Sequence, residues 1–371
     1  TLIEAALTLL PNGILITAHE GDLLHMIDAG MRMSLGETPH IDFMTPIGIL
    51  GFAPFALFVG LGFAAGQSAV LANLLICLLL LPATWWIGST RLTPRLAWLF
   101  GAIVIVICTA LVHGSGSTAI GFSMYYNRWC WAVTIIILVA VLVNPHKVHK
   151  WVDPVIVGAG LSMLALTKMT FFVPLAPALL FVFFTAKRFH FAAVSIATGV
   201  VLAMLTTALL GFDFVLGYAD DLLAVASGGA GRSYPGLDVA GVLSDPSMLS
   251  ASLVLFGSVI YFRKTGKMRQ GLVMLILAPA FIYITFQNWG NDPKWLFFVV
   301  IYLASNLPKD QSRQFLGAPA PTTGIVLIAI ACTAAVPSFV SLATSTPRAA
   351  LASKEEAVQI PLPEQIADLW M

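Results

Sequence analysis

The chain has 371 residues, 58% of them hydrophobic and only 10% charged, with a net charge of +1 and a mean hydropathy of +0.91. A soluble domain carries about 25% charged residues, so this composition excludes a soluble enzyme, a disordered chain and a nucleic-acid binder, and the near-neutral balance removes any general attraction to polyanions. What remains is an all-α, polytopic transmembrane helix bundle whose surroundings are membrane lipid.

In chain order, apolar runs fall at about 2–17, 45–65, 67–88, 97–113, 128–143, 153–168, 170–186, 191–211, 248–263, 270–286, 295–307 and 322–343, against the roughly 20 residues a spanning helix needs. Cys77, Cys108, Cys130 and Cys332 lie inside these runs without ligand spacing and read as small buried hydrophobes. No cleavable signal segment is visible, and Thr1 in place of Met suggests that residues precede it.

Orientation follows the basic residues. The loop from Arg263 to Arg269 is the most basic and is placed in the cytoplasm. Alternation then puts Arg91, Arg95, Lys147, Lys150, Lys187, Arg188, Lys309 and Arg313 on the same side. The acids gather opposite: Glu20, Asp22, Asp28, Glu37 and Asp42 in loop 18–44, then Asp213, Asp220, Asp221, Asp238 and Asp245 in loop 212–247. A crossing at 45–65 would break that split. Pro46, Pro54 and a high glycine content argue against one straight helix there, so the segment reads as a re-entrant or interfacial hairpin. The expectation is about eleven crossings in a bacterial inner membrane, N-terminus in and C-terminus out. One transmembrane domain covers 1–343 and a tail covers 344–371 on the outer side.

The first outer loop is the richest in chemistry. Residues 22–35 have helical periodicity, with Asp22, His25, Asp28, Ala29 and Arg32 on one face and Leu23, Leu24, Ile27, Met31 and Leu35 on the other. Asp22 can touch His25, and Asp28 can touch Arg32. The plain alternative is an interfacial helix with a solvated face. Glu20 and Asp22 are also the pair to hold a divalent cation, if one is bound; no other cofactor is indicated.

Glu20-Gly21-Asp22 after a first apolar run, an amphipathic helix ending at Gly36, the pair Asp42-Phe43, and Pro46-Ile47-Gly48 opening an apolar segment resemble the GT-C superfamily of integral-membrane glycosyltransferases. That superfamily includes the protein mannosyltransferases and the aminoarabinose lipid A transferases. The resemblance covers roughly residues 1–190; the family's Pro-Pro-Leu-Gly-like opening stands here as Thr45-Pro46-Ile47-Gly48. It implies a lipid-linked, polyprenyl-phosphate sugar donor used at the outer face, with Asp22, or else Glu20, as the catalytic carboxylate and His25 and Asp42 beside the substrate.

Further along, Lys168 stands between two short apolar runs at the outer side. It is either a snorkelling lysine or, as in the family, an ammonium for the lipid phosphate. Tyr126-Asn127-Arg128 and the segment Gln287 to Trp295, with Asn288, Asn291 and Asp292, combine aromatic faces with amides and charges suited to sugar hydroxyls and phosphate; interfacial aromatic belts have the same look. The outer loop 212–247, Gly-rich over 226–236, reads as a flexible flap or a plain connector. Two other readings stay open: a transporter or flippase of lipid-linked saccharide, and a non-catalytic subunit that keeps the scaffold among membrane-protein partners.

Overall fold

The computed structural model describes residues 13–114, 116–122, 124–228, 239–288, 292–352, 357–360 and 367–370, with only the backbone of Glu20 and Val239. A short strand β1 (Ile14–Leu15) leads into α1 (Glu20–Ser34) and α2 (Ala53–Gly60). There follow α3 (Ala65–Arg91), α4 (Pro94–Thr109), α5 (Tyr125–Leu142), α6 (Val152–Thr167), α7 (Met169–Thr185), α8 (Phe189–Leu210), α9 (Phe212–Ala226), α10 (Val239–Ser244), α11 (Pro246–Lys264), α12 (Met268–Gln287) and α13 (Trp295–Ser305). A small hairpin, β2 (Gln314–Phe315) and β3 (Ala318–Pro319), precedes the long α14 (Ala320–Leu351), and β4 (Leu369–Trp370) closes the chain.

Helices α3, α5, α8, α11, α12 and α14 are long and apolar enough to cross a membrane, and α4, α6, α7 and α13 are shorter apolar helices. The chain is a mostly helical, multi-pass membrane protein. Within it, 94% of the apolar window of α5 is buried and 6% of that of α8. So α5 is the central post, packed against α3, α4, α6 and α13, while α8 lines the perimeter on α6 and α9.

Segment 45–65 holds one turn of 3-10 helix and the eight-residue α2, about 12 Å long and too short to cross. The run at 2–17 departs from expectation. Residues 1–12 lie outside the described residues, and Ile14–Leu15 are extended, pairing in parallel with Leu369–Trp370, so the run does not reach Thr17 as a helix. In the tail, Gln359 bridges to Trp370. The Asp368 carboxylate accepts the amides of Gly66 (2.7 Å) and Gln67 (3.0 Å), capping α3.

Contacts sort the loops into two ends. At one end Thr17 and Ile120 bond to each other, the Gly48 amide bonds to the Thr167 carbonyl, His40 meets Asp221, and Thr170 meets Asn288. At the other, Arg91 is paired with Asp153 at 2.6 Å, Arg188 bonds to the Val141 carbonyl and Arg313 to the Thr265 carbonyl. The first end carries the acidic loops and the second the basic ones.

The length of α13 matters most for the site. Its 11 residues span about 16 Å, half of a hydrocarbon core of about 30 Å. Its first residues are fully buried, and so are Asp292 and Lys294 just before it, which therefore sit inside the bundle. Polar backbone at that depth is tolerated only where protein surrounds it or a cavity receives it.

Candidate functional site

At the acidic-loop end, the first turn of α5 presents Tyr125, Tyr126, Asn127 and Arg128, all buried. Arg128 is 1% exposed. Its Nη1 donates to the Val112 carbonyl at 3.0 Å, while its Nε and Nη2 have no hydrogen-bond partner. Both side-chain polar atoms of Asn127 are likewise unmatched, as is Nε2 of His113 in the loop between α4 and α5. A helix N-terminus adds its own partial positive charge here.

The opposite wall is Asn288, Asp292 and Lys294 with the end of α12. Lys294 Nζ lies 2.6 Å from Asp292 Oδ2, which also accepts a hydrogen bond from Ser338 Oγ at 2.9 Å. Gly114 has φ +117°, and a Cβ there would overlap the Asp292 carboxylate, so only glycine lets the two loops close. Asn288 Nδ2 donates to the Ile284 carbonyl at 2.7 Å and reaches Thr170 Oγ1 at 3.3 Å. His113, Asn127, Arg128, Asn288, Asp292 and Lys294, with Trp131 and Thr285, line one small cavity.

The electrostatics are one-signed. Asp292 offsets Lys294, leaving the Arg128 charge unmatched within the lining. Burial lowers the Lys294 ammonium against the opposing pull of Asp292. Burial also pushes His113 well below the usual imidazole range, helped by Lys294, Arg128, His19 and Lys168, so His113 is neutral near pH 7. A pocket with a buried guanidinium, unsatisfied amide and imidazole groups and one uncompensated positive charge is built for an oxyanion, since leaving such donors empty costs about 1–3 kcal/mol each.

The segments singled out in the sequence meet unevenly. Asn127, Arg128, Asn288 and Asp292 converge on the cavity. Lys168 stands at the α6–α7 break with its Nζ 4.9 Å from the centre of the Tyr126 ring, a neighbour of the cavity rather than part of its lining. Asp22, His25 and Asp42 do not line it. Asp22 is exposed, and so is His25, edge-on to Phe52 at 5.9 Å. Asp42 is exposed and accepts the Thr38 amide at 2.7 Å, shaping its own loop. Asn291 and the Glu20 side chain lie outside the described residues, and with Glu20 goes half of the suggested cation pair; among the described residues no cluster suits a metal ion.

Helix α1 forms as the periodicity predicts, but its faces are turned. Leu23, Met26, Ile27 and Ala29 are buried, and Leu24 is exposed, because Gly30 lets the Phe55 ring of α2 press against the backbone. Arg32 pairs with Glu37 at 2.6 Å instead of Asp28 and lies over the Phe43 ring.

His113 escaped sequence reading, and Lys294 stood inside the segment Gln287 to Trp295 without a role of its own. His113 sits at the end of an apolar run, where it looks like a helix terminus, and Lys294 is masked by its aromatic neighbours. Also missed was His40, whose Nδ1 meets Asp221 Oδ2 at 2.7 Å, while the same oxygen accepts the Thr45 amide at 3.0 Å. Burial lowers the His40 imidazole although Asp221 opposes the shift. This contact, with Phe214 and Tyr218 against the His40 ring, pins residues 212–226 down as α9. They are a docked helix, not a flap; residues 229–238 of the Gly-rich stretch lie outside the described residues.

Beside the C-terminal half of α12, on a different face from Thr285 and Asn288, an apolar groove of about 540 Å³ is lined by Val242, Leu243, Phe256, Leu275, Ile282 and Phe286. Comparison with protein-family models, with characterised proteins and with solved structures finds no match to this chain.

Proposed function

We propose that this protein is a membrane glycosyltransferase of the GT-C type, moving a sugar from a polyprenyl-phosphate donor to an acceptor hydroxyl at the outer face of a bacterial inner membrane. The observation that carries the reading is Arg128, a buried guanidinium with two unmatched N–H groups beside Asn127 and His113. Its surplus of one positive charge matches a phosphodiester monoanion. The groove on the other side of α12 suits an isoprenoid chain, which needs apolar walls and no polar partner.

In this reading Asp22 takes the proton from the acceptor hydroxyl, whose oxygen bonds to the anomeric carbon. The bond from that carbon to the phosphate oxygen breaks, and the lipid phosphate leaves with its added charge held by Arg128. Asp292 holds the Lys294 ammonium in place, and Asn288 with Thr285 completes the wall. Supporting a role for the first turn of α1 is His19, whose charge is felt at His113. Asp22 follows it by three residues, a rise of about 4.5 Å. Glu20 is the second candidate for the base.

The test is transfer of label from a radiolabelled polyprenyl-phosphate sugar pool by the full-length protein in vesicles, with polyprenyl phosphate recovered as co-product. Movement of intact donor across the bilayer without co-product would identify a transporter. Neither transfer nor donor binding would leave a non-catalytic subunit.

The orientation, N-terminus in with about eleven crossings, makes its own prediction. A cysteine replacing Ser34 should react with an impermeant maleimide added outside, and one replacing Lys264 should react only after permeabilisation. The reverse pattern would put the cavity on the cytoplasmic side and remove the lipid-linked donor with it.

A further inference from the structure

At the basic end of the bundle, a second polar pocket opens between α5, α8, α12 and α13, lined by Asn144, Arg188, Arg269, Gln270 and Tyr302 among others. Arg188 is half-buried at the N-cap of α8, and its Nη1 donates to the Val141 carbonyl at 2.7 Å. Arg269 sits in the first turn of α12. Among the described residues neither is in an ion pair. The carboxylate whose field reaches Arg188 is Asp153, and it is committed to Arg91 and to the Trp86 indole, at 2.6 and 2.9 Å. Arg188 is depressed by burial and then by the like charges of Arg269 and Arg91.

Two guanidiniums therefore share a concave site without a counter-charge. The N-termini of α8 and α12, neither capped by a side chain, add partial positive charge to it. Like charges facing one pocket are destabilising unless an anion sits between them. The cavity is about 40 Å³, enough for the oxygens of a tetrahedral anion at its mouth and too little for a whole headgroup. Around it Phe184, Phe189 and Met268 are exposed, an apolar collar that suits acyl chains and gives a soluble anion nothing. We propose that this pocket binds the phosphodiester of an anionic membrane lipid, clamped between Arg188 and Arg269. Basic pockets between transmembrane helices are a recurrent way of holding such headgroups. The site lies at the opposite end from Arg128 and does not depend on the transferase reading.

The test uses the full chain in detergent, with native mass spectrometry counting retained phosphatidylglycerol and thermal unfolding reporting its effect. Phosphatidylcholine and inorganic phosphate at constant ionic strength are the comparison arms. Phosphatidylglycerol should be retained and should raise the unfolding midpoint, and phosphatidylcholine should do neither. Arg269→Gln, which disturbs no intramolecular hydrogen bond of the Arg269 side chain, should weaken phosphatidylglycerol binding about fivefold, the factor carried by one basic group at an anionic lipid surface. Arg188→Lys should retain more binding than Arg188→Gln. Protection by inorganic phosphate that vanishes in Arg269→Gln, with no preference for phosphatidylglycerol, would assign the pocket to a soluble phosphate and overturn the lipid. Equal lipid binding by the parent and both neutral variants would overturn the site itself.

Discussion

Arg128→Met should make the ligand-free protein more stable and, on the proposed glycosyltransferase reading, remove nearly all sugar transfer. The guanidinium is 1% exposed and has a single protein hydrogen bond, to the Val112 carbonyl. Removing a charge from water without pairing it costs several kcal/mol, and replacing buried ionic groups by apolar ones of similar volume often stabilises by about 1–4 kcal/mol. Met fills much of the same space, and the gain should fall in that range, less the bond to Val112. The same change deletes two charge-assisted donors from the proposed phosphate site. At roughly the loss seen when one preorganised oxyanion donor is removed, transfer should drop by about 10²–10³. Arg128→Lys keeps the charge but not the fork and should fall between. Thermal unfolding without donor, set beside the transfer rate, reads both signs at once. A variant that is less stable and fully active would make Arg128 a strut for the 110–124 loop and take away the chief support for an oxyanion site.

That stability and activity should move in opposite directions at Arg128 bears on how much of this protein is legible in its sequence. The apolar runs foretell α3 to α8 and α11 to α14, because a membrane helix must satisfy its backbone within itself and so writes its length directly into composition. Prolines and glycines at 45–65 mark the short α2 for the same local reason. What sequence does not carry is pairing at a distance. Ile14 with Leu369 and His40 with Asp221 join segments far apart in the chain, and each overturned an expectation drawn from local pattern, a helical end to the first run and a flexible flap. The cavity was half legible. Arg128, Asn288 and Asp292 stand out as polar groups that an apolar chain has no local reason to keep. His113 and Lys294 became meaningful only when the shortness of α13 brought their loops inside the bundle.

The acid of α1 is the place where chemistry and geometry must still be joined by experiment. Asp22 is exposed near the start of α1 and, among the described residues, free of the intramolecular contacts that occupy Asp42 and Asp292. Asp22→Asn preserves its shape and removes only its ability to take a proton. Proton transfer by a positioned group contributes about 10²–10⁴-fold in rate, so sugar transfer should fall by that factor while donor binding, governed by Arg128 on another element, stays within a few-fold. Stability should hardly change, because an exposed carboxylate that caps nothing contributes little. Asp28→Asn, one to two turns further along the helix and equally exposed, is the matched control. Its expected effect on transfer is well under tenfold, since Arg32 is already paired with Glu37. Transfer assays on both variants at saturating donor separate the base from a merely acidic helix. If Asp22→Asn and Asp28→Asn are equally active, the proton goes elsewhere, with Glu20 next to be changed. If both are inactive while binding donor normally, it is the negative field of α1 as a whole that acts on the acceptor.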